Sequence, residues 1–420
     1  MSIRIRWFLT FALVFTFALG WAAAPAGEET AAGLRVGAAS GAVNPPVGTF
    51  LAGYDQNRLS TGMHDDLWAK AVVFDDGHMQ LALVVIDCIG LQYDTVNAIR
   101  AAAAAKVEKL PPEQVVVQST HTHCGPDVIG IWGPDGTHTG RNAAYMDTLA
   151  ETAAAQVAKA ARRLKPATVV YAETVCAGWA VNDSEPDVLD NSVTVLQCLD
   201  KDGKSIATLT NFACHPTVLD GDTTQVSADW VAAFYATMAA ALPGEHLFLQ
   251  GAVGCWIQPK TPARTFALAG QYGSDLASKT LAALKKPRPP GDTGLRFARR
   301  VFEMPLSDGT PYRAFGAAGL VPREFGDTVR TEVAWFAIGP AQFATHPGET
   351  APMYAARTRE LMDTGPKFVL GLGLDELGYI CPPNYFDNPE KIPAAPYLTQ
   401  MSPGRESGAV LMKALEAVIP

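Results

Sequence analysis

Val115-Val116-Val117-Gln118-Ser119-Thr120-His121-Thr122-His123-Cys124-Gly125-Pro126-Asp127 runs from three β-branched residues into two histidines and then into a Gly-Pro break. The valines predict a buried strand. Side chains two apart on a strand share a face, so His121 and His123 are expected to converge. Gly125 and Pro126 end the strand and place both imidazoles at its open end. Alone, a His-x-His is more often a pair of polar residues bonded to nearby backbone. Three later fragments change that balance.

His215 lies in Asn211-Phe212-Ala213-Cys214-His215-Pro216, again an apolar strand followed by histidine and proline. Glu349 follows the apolar run 341–344 in His346-Pro347-Gly348-Glu349-Thr350, and Tyr379 follows 369–374 in Glu376-Leu377-Gly378-Tyr379-Ile380-Cys381. In an α/β sheet, ligands bind beyond the carboxyl ends of the strands. Two neutral imidazoles and a carboxylate suit a catalytic zinc ion with a position left for water, whose pKa zinc lowers to about 7. A phenol can complete such a shell or stabilise an oxyanion.

The remaining sequence predicts α/β architecture: a mixed sheet with flanking helices and the zinc site at the C-terminal ends of strands. Strands are expected over 68–74 and 81–86, joined by the turn Asp75-Asp76-Gly77-His78, then over 168–173, 193–198, 206–213, 246–249, 295–304, 331–338 and 368–372. Helices are expected from a cap at Asp94 to Leu110, and over 142–164, 229–241, 266–285, 351–362 and 406–418. The Pro/Gly-rich stretch 287–291 is the best candidate for a linker.

The chain has 420 residues, 48% hydrophobic and 18% charged, with a formal charge of −9. That is ordinary globular material with a large core. Arg4 and Arg6 precede an apolar run to Leu19 and the small residues Ala22-Ala23-Ala24, the layout of a secretory signal over residues 1–24. The mature domain is then expected over 25–420, and its localisation is secreted or periplasmic. Its acidity, without Lys/Arg clusters, argues against nucleic acid as a partner. Seven cysteines are scattered without framework spacing and are read as packing residues. Gly-x-Ser-x-Gly, Walker A and His-Glu-x-x-His motifs are absent, which disfavours serine hydrolases, P-loop enzymes and thermolysin-like proteases.

Thr120-His121-Thr122-His123-Cys124-Gly125-Pro126, the downstream His215, Pro347-Gly348-Glu349 and Gly378-Tyr379, in this order, resemble the neutral ceramidase family, secreted zinc amidases that cleave the N-acyl bond of ceramide. The segments from Gly53-Tyr54 to Arg58 and at His64-Asp65 also resemble that family. The resemblance implies that His121, His215, Glu349 and Tyr379 are zinc ligands and that His123 holds the attacking water or shuttles its proton. It implies a catalytic place for Asp229, in Ser227-Ala228-Asp229, which a helix N-cap explains equally well. The substrate implied is a small-molecule or lipid-like N-acyl compound, compatible with peripheral contact at a membrane, and no oligomeric state is assigned.

Gly251–Pro259 departs from the family pattern, lacking its aspartate and serine, and Asp183 stands where an arginine is expected; no C-terminal Ig-like domain is expected. The mechanism implied is direct attack on an amide carbonyl by water activated at zinc and oriented by His123, with Tyr379 on the oxyanion. The alternatives are a zinc-containing binding protein without turnover, or a zinc esterase or peptidase acting on polar substrates.

Overall fold

The structure is a computed structural model that describes residues 33–289, 291 and 293–420. The signal expected over residues 1–24 lies outside the described residues. Eight strands form the main sheet: β1 (Arg35–Ala42), β2 (Trp68–Asp75), β3 (Gln80–Ile86), β4 (Val115–Ser119), β5 (Lys165–Val175), β6 (Ser192–Asp200), β7 (Ser205–Phe212) and β8 (Glu245–Gln250). Their order is β8-β7-β6-β5-β1-β2-β3-β4. The outer pairs β3/β4 and β7/β8 are parallel and the inner pairs antiparallel, so the sheet is mixed as expected.

Strands β3 and β7 are buried along their whole length because both faces are covered. β3 accordingly reads as an apolar run, whereas β7 buries Ser205, Thr208, Thr210 and Asn211 among its apolar residues. The hairpin between β2 and β3 closes as the sequence predicts. Asp75 Oδ1 accepts from the Gly77 amide, and Asp76 Oδ1 accepts from the amides of His78 and Met79. Helix α1 (Tyr93–Ala104) packs on α2 (Ala143–Arg162), which covers β1 and β2, while α3 (Trp230–Ala241) and α4 (Phe266–Ala283) pack together and reach β8 and β5. Asn142 caps α2 through the Tyr145 amide.

The expected cap of α1 is corrected. Asp94 lies inside the first turn, and the Tyr93 amide is bonded at 2.8 Å by Asp375, 282 residues away. A local capping signal was overridden by a tertiary partner. The candidate linker 287–291 divides nothing: residues 33–420 form one compact unit, and Arg288 exchanges backbone hydrogen bonds with Tyr171.

A second sheet has the order β9 (Leu295–Pro305), β10 (Thr328–Ile338), β11 (Ala341–Thr345) and β12 (Lys367–Leu370), with β11 and β12 parallel. Fully buried side chains tie the two sheets together where their strands end. Gln118 Nε2 on β4 donates to the carbonyls of Gln250 and Gly371 at 2.6 and 2.9 Å. Asn211 on β7 donates to Leu249 and Val369. The carboxyl ends of β4, β7, β8 and β12 are thus held at one place, and the site grows from the loops beyond them.

Phe343 on β11 stacks between Phe336 and Phe368 at centroid distances of 4.5 and 4.2 Å, and all three are fully buried. Phe343→Ala removes the middle ring and is expected to cost about 3–5 kcal/mol. Chemical denaturation checks this, and a loss below about 1 kcal/mol contradicts the packing account.

Candidate active site

His121 sits two residues beyond β4, with backbone φ of 73°. A non-glycine residue in that left-handed region costs about 1–3 kcal/mol and persists only where its surroundings hold it. Here the Thr120 amide bonds Ile86, the His121 amide bonds Cys88, and Thr120 Oγ1 donates to the fully buried Asp87. The two imidazoles therefore converge through a turn, not through the shared strand face that the sequence suggested. Their Nε2 atoms are 3.2 Å apart. His121 is buried, not open to solvent, at 2% exposure.

His215 follows β7 in the same manner. Its amide and Nδ1 both donate to the Ile257 carbonyl, at 2.9 and 2.8 Å, and Trp230 Nε1 holds its own carbonyl. His121 Nδ1 is likewise 2.5 Å from the Ile89 carbonyl. A backbone acceptor on Nδ1 fixes the tautomer and turns the Nε2 lone pair toward the site, the orientation that metal-ligating histidines show.

Glu349 reaches both rings, with Oε2 3.1 Å from His215 Nε2 and Oε1 3.5 Å from His121 Nε2. Burial alone would raise its carboxyl pKa. The two imidazoles outweigh burial and hold it below the usual range, so it is ionised. Burial first, and then the neighbouring imidazoles, lower the pKa values of His123 and His215. Donors bonded tetrahedrally at about 2.1 Å lie about 3.4 Å from one another. The Glu349–His215, Glu349–His121 and His121–His123 separations of 3.1, 3.5 and 3.2 Å lie near that. His121, His123 and His215 place their ring nitrogens within 4.8 Å of one another, an arrangement that can hold a metal ion.

His123 differs from the other two. Its buried Nδ1 has no hydrogen-bond partner among the described residues. Its ring lies against Gly53, which has φ of 96°, and a Cβ there would stand 2.4 Å from Nδ1. An imidazole without an orienting acceptor is suited to handling a proton.

Tyr379 is brought beside Glu349 by a short parallel bridge, Glu349 to Tyr379. Its hydroxyl accepts from Trp256 Nε1 at 3.2 Å. Burial, and then the Glu349 charge, raise its pKa far above the ordinary phenol value, so it keeps its proton as a donor. Asp229 does not hydrogen-bond to the imidazoles. Its carboxylate accepts from the amides of Val218, Leu219 and Trp230, capping α3 and clasping the loop after His215, and burial raises its pKa to about 6.

The divergent loop Gly251–Pro259 lies directly on the site. Cys255 and Trp256 both have positive φ, and Gly254 packs so closely on the Glu349 carbonyl that a Cβ would stand 2.3 Å from it. This loop sends the Trp256 indole to the Tyr379 phenol. The sequence reading gave roles to neither Trp256 nor Tyr397, whose ring is 5.8 Å from that of Tyr379. Neither carries a local signal, because each acts only through the fold.

Two cavities meet here and share Gly53, His123, Tyr379 and Tyr397. One is narrow, about 80 Å³, and lined by Ile89, Ile131, Trp132, Phe315 and Phe325. The other is a wider cleft of about 520 Å³ with Asp183, Thr217, Asp220, Gln258 and Arg264. The arrangement accepts a molecule with one apolar and one polar arm and presents its junction to the imidazoles.

Residues 35–246 match the model of the family described as neutral/alkaline non-lysosomal ceramidase, N-terminal. The fold is similar to that of a neutral ceramidase from Pseudomonas aeruginosa, with TM-score 0.75 and 16% identity over 92% of this chain and 74% of that one. It is also similar to a structure described as a ceramidase complexed with C2, with TM-score 0.75 and 15% identity over 91% and 74% of the two chains. No curated protein matches by sequence.

Two substitutions separate the metal donors from the proton-handling ring. His121→Ala is expected to abolish metal uptake, whereas Gly53→Ala displaces the His123 ring and leaves the metal content at the wild-type level. Elemental analysis of the dialysed proteins checks both, and wild-type metal in His121→Ala contradicts the donor assignment.

Proposed function

The chain belongs to the neutral/alkaline non-lysosomal ceramidase family, and from that membership we propose that it is a zinc-dependent amidohydrolase cleaving N-acyl substrates, ceramide-like or other N-acyl amines. The observation that carries this reading is the seating of Glu349 between His121 and His215, at the junction of an apolar pocket and a polar cleft. His121, His215, Glu349 and Tyr379 are the proposed ligands, Tyr379 through the oxygen of its neutral phenol, which keeps its proton for donation. Zinc held there supplies Lewis acidity, polarising a carbonyl and lowering the pKa of water to about 7.

The side chains supply the rest. The acyl group enters the apolar pocket and the amine the wider polar cleft, so the amide bond lies beside His123. His123, neutral through burial, accepts the proton of the attacking water and returns it to the departing nitrogen. Water's oxygen thereby joins the acyl carbon, the C–N bond breaks, and the amine leaves with the proton. The Tyr379 phenol, steadied by Trp256, donates to the carbonyl oxygen as it gains charge. Asp183 in the cleft, where an arginine was expected, favours amines carrying hydroxyl or ammonium groups over anionic ones.

Export through residues 1–24 belongs to the same proposal, and N-terminal sequencing of the mature protein tests it. Among the described residues no helix is long and apolar enough to cross a membrane.

The function is tested by fatty-acid release from a panel of N-acyl amines. Chelation is expected to abolish release and zinc to restore it. His123→Ala is expected to lower kcat about 10²–10⁴-fold while keeping the wild-type zinc content. Full zinc content without release from any substrate would establish a binding protein instead.

A further inference from the structure

Glu376 is a buried carboxyl in the wall of the apolar pocket, 8% exposed. One oxygen, Oε1, accepts from the Gly378 amide at 2.7 Å. The other, Oε2, has no hydrogen-bond partner among the described residues. An unsatisfied buried polar atom is destabilising, and such atoms are rare unless something else pairs with them.

The placement is built. The side chain folds over Gly90, where a Cβ would lie 2.7 Å from Glu376 Cγ and 3.0 Å from Oε2, so a larger residue there would evict it. Its backbone is held by the preceding residue. Asp375 accepts from Arg323, Thr331 and the amides of Tyr93 and Glu376. The rigid backbone and the fitted space leave one oxygen unpaired on a side chain that lines the same cavity as Ile89, Phe315, Phe325, His121, Glu349 and Tyr379.

An apolar chain alone leaves that oxygen unpaired, whereas a hydroxyl carried on the chain near its carbonyl end satisfies it. We infer that Glu376 is a specificity residue that selects N-acyl groups hydroxylated close to the carbonyl. This rests on the proposed reading that the acyl arm occupies the apolar pocket. Burial, and then the charge of Glu349, raise the Glu376 pKa well above the carboxyl range. A carboxyl oxygen there can accept from a hydroxyl and, when protonated, donate to it.

The test compares N-dodecanoyl amines with their α- and β-hydroxydodecanoyl counterparts by kcat/KM, in the wild type, Glu376→Leu and Glu376→Gln. Calorimetric binding of the free dodecanoic and hydroxydodecanoic acids to the zinc-loaded proteins runs alongside, with zinc content checked in each. The wild type is expected to favour one hydroxylated form about tenfold or more. Glu376→Leu should abolish that preference, and Glu376→Gln should keep part of it. A wild type that does not discriminate overturns the inference, as does a preference that persists in Glu376→Leu with zinc intact. If the wild type turns over no substrate but binds the hydroxy acid more tightly through Glu376, this inference stands and the hydrolase reading falls. If it neither turns over nor discriminates, both fall.

Discussion

The Glu349 carboxylate, wedged between the Nε2 atoms of His121 and His215, is the contact on which the rest of the site depends. A buried carboxylate is costly unless it is paired, and here the imidazoles compensate strongly enough to reverse the effect of burial on its pKa. That compensation requires two rings from distant loops to arrive with the correct nitrogen inward. The carbonyls of Ile89 and Ile257 ensure it by taking the Nδ1 side of each ring.

Much of the surrounding structure keeps those loops in place. Gln118 and Asn211, both buried, bind strand ends of the two sheets to each other through backbone carbonyls. Asp375 fixes the start of α1 and the segment leading to Tyr379 at once, through an ion pair with Arg323. Non-glycine residues with positive φ cluster here: His121, Asp229, Cys255, Trp256, Leu372 and Leu374. Strain of that kind survives only where neighbours over-determine the backbone, and the hydrogen-bonded strand ends provide that determination.

The two cavities give the site its direction. A narrow apolar pocket and a wider polar cleft share His123 and Tyr379 at their meeting point. The His123 imidazole and the Tyr379 phenol therefore face the same short stretch of any bound molecule. The loop Gly251–Pro259 contributes to this through Trp256, which donates to the phenol oxygen.

The sequence by itself marked the elements and the side chains that meet at the strand ends. Apolar runs and turn residues marked the strands of both sheets, and His121, His215, Glu349 and Tyr379 were each recognisable by a Pro or Gly break after a strand. What only the tertiary structure decided was how they meet. His121 and His123 converge through a left-handed turn instead of a strand face, and Asp229 holds backbone where a catalytic place was implied. Trp256 and Glu376 gain meaning from neighbours more than a hundred residues away, Tyr379 for Trp256 and Gly90 for Glu376. Periodicity and breaks are local properties that a sequence displays, whereas a ring's hydrogen-bond partner or an unpaired buried oxygen depends on which distant backbone folding brings alongside.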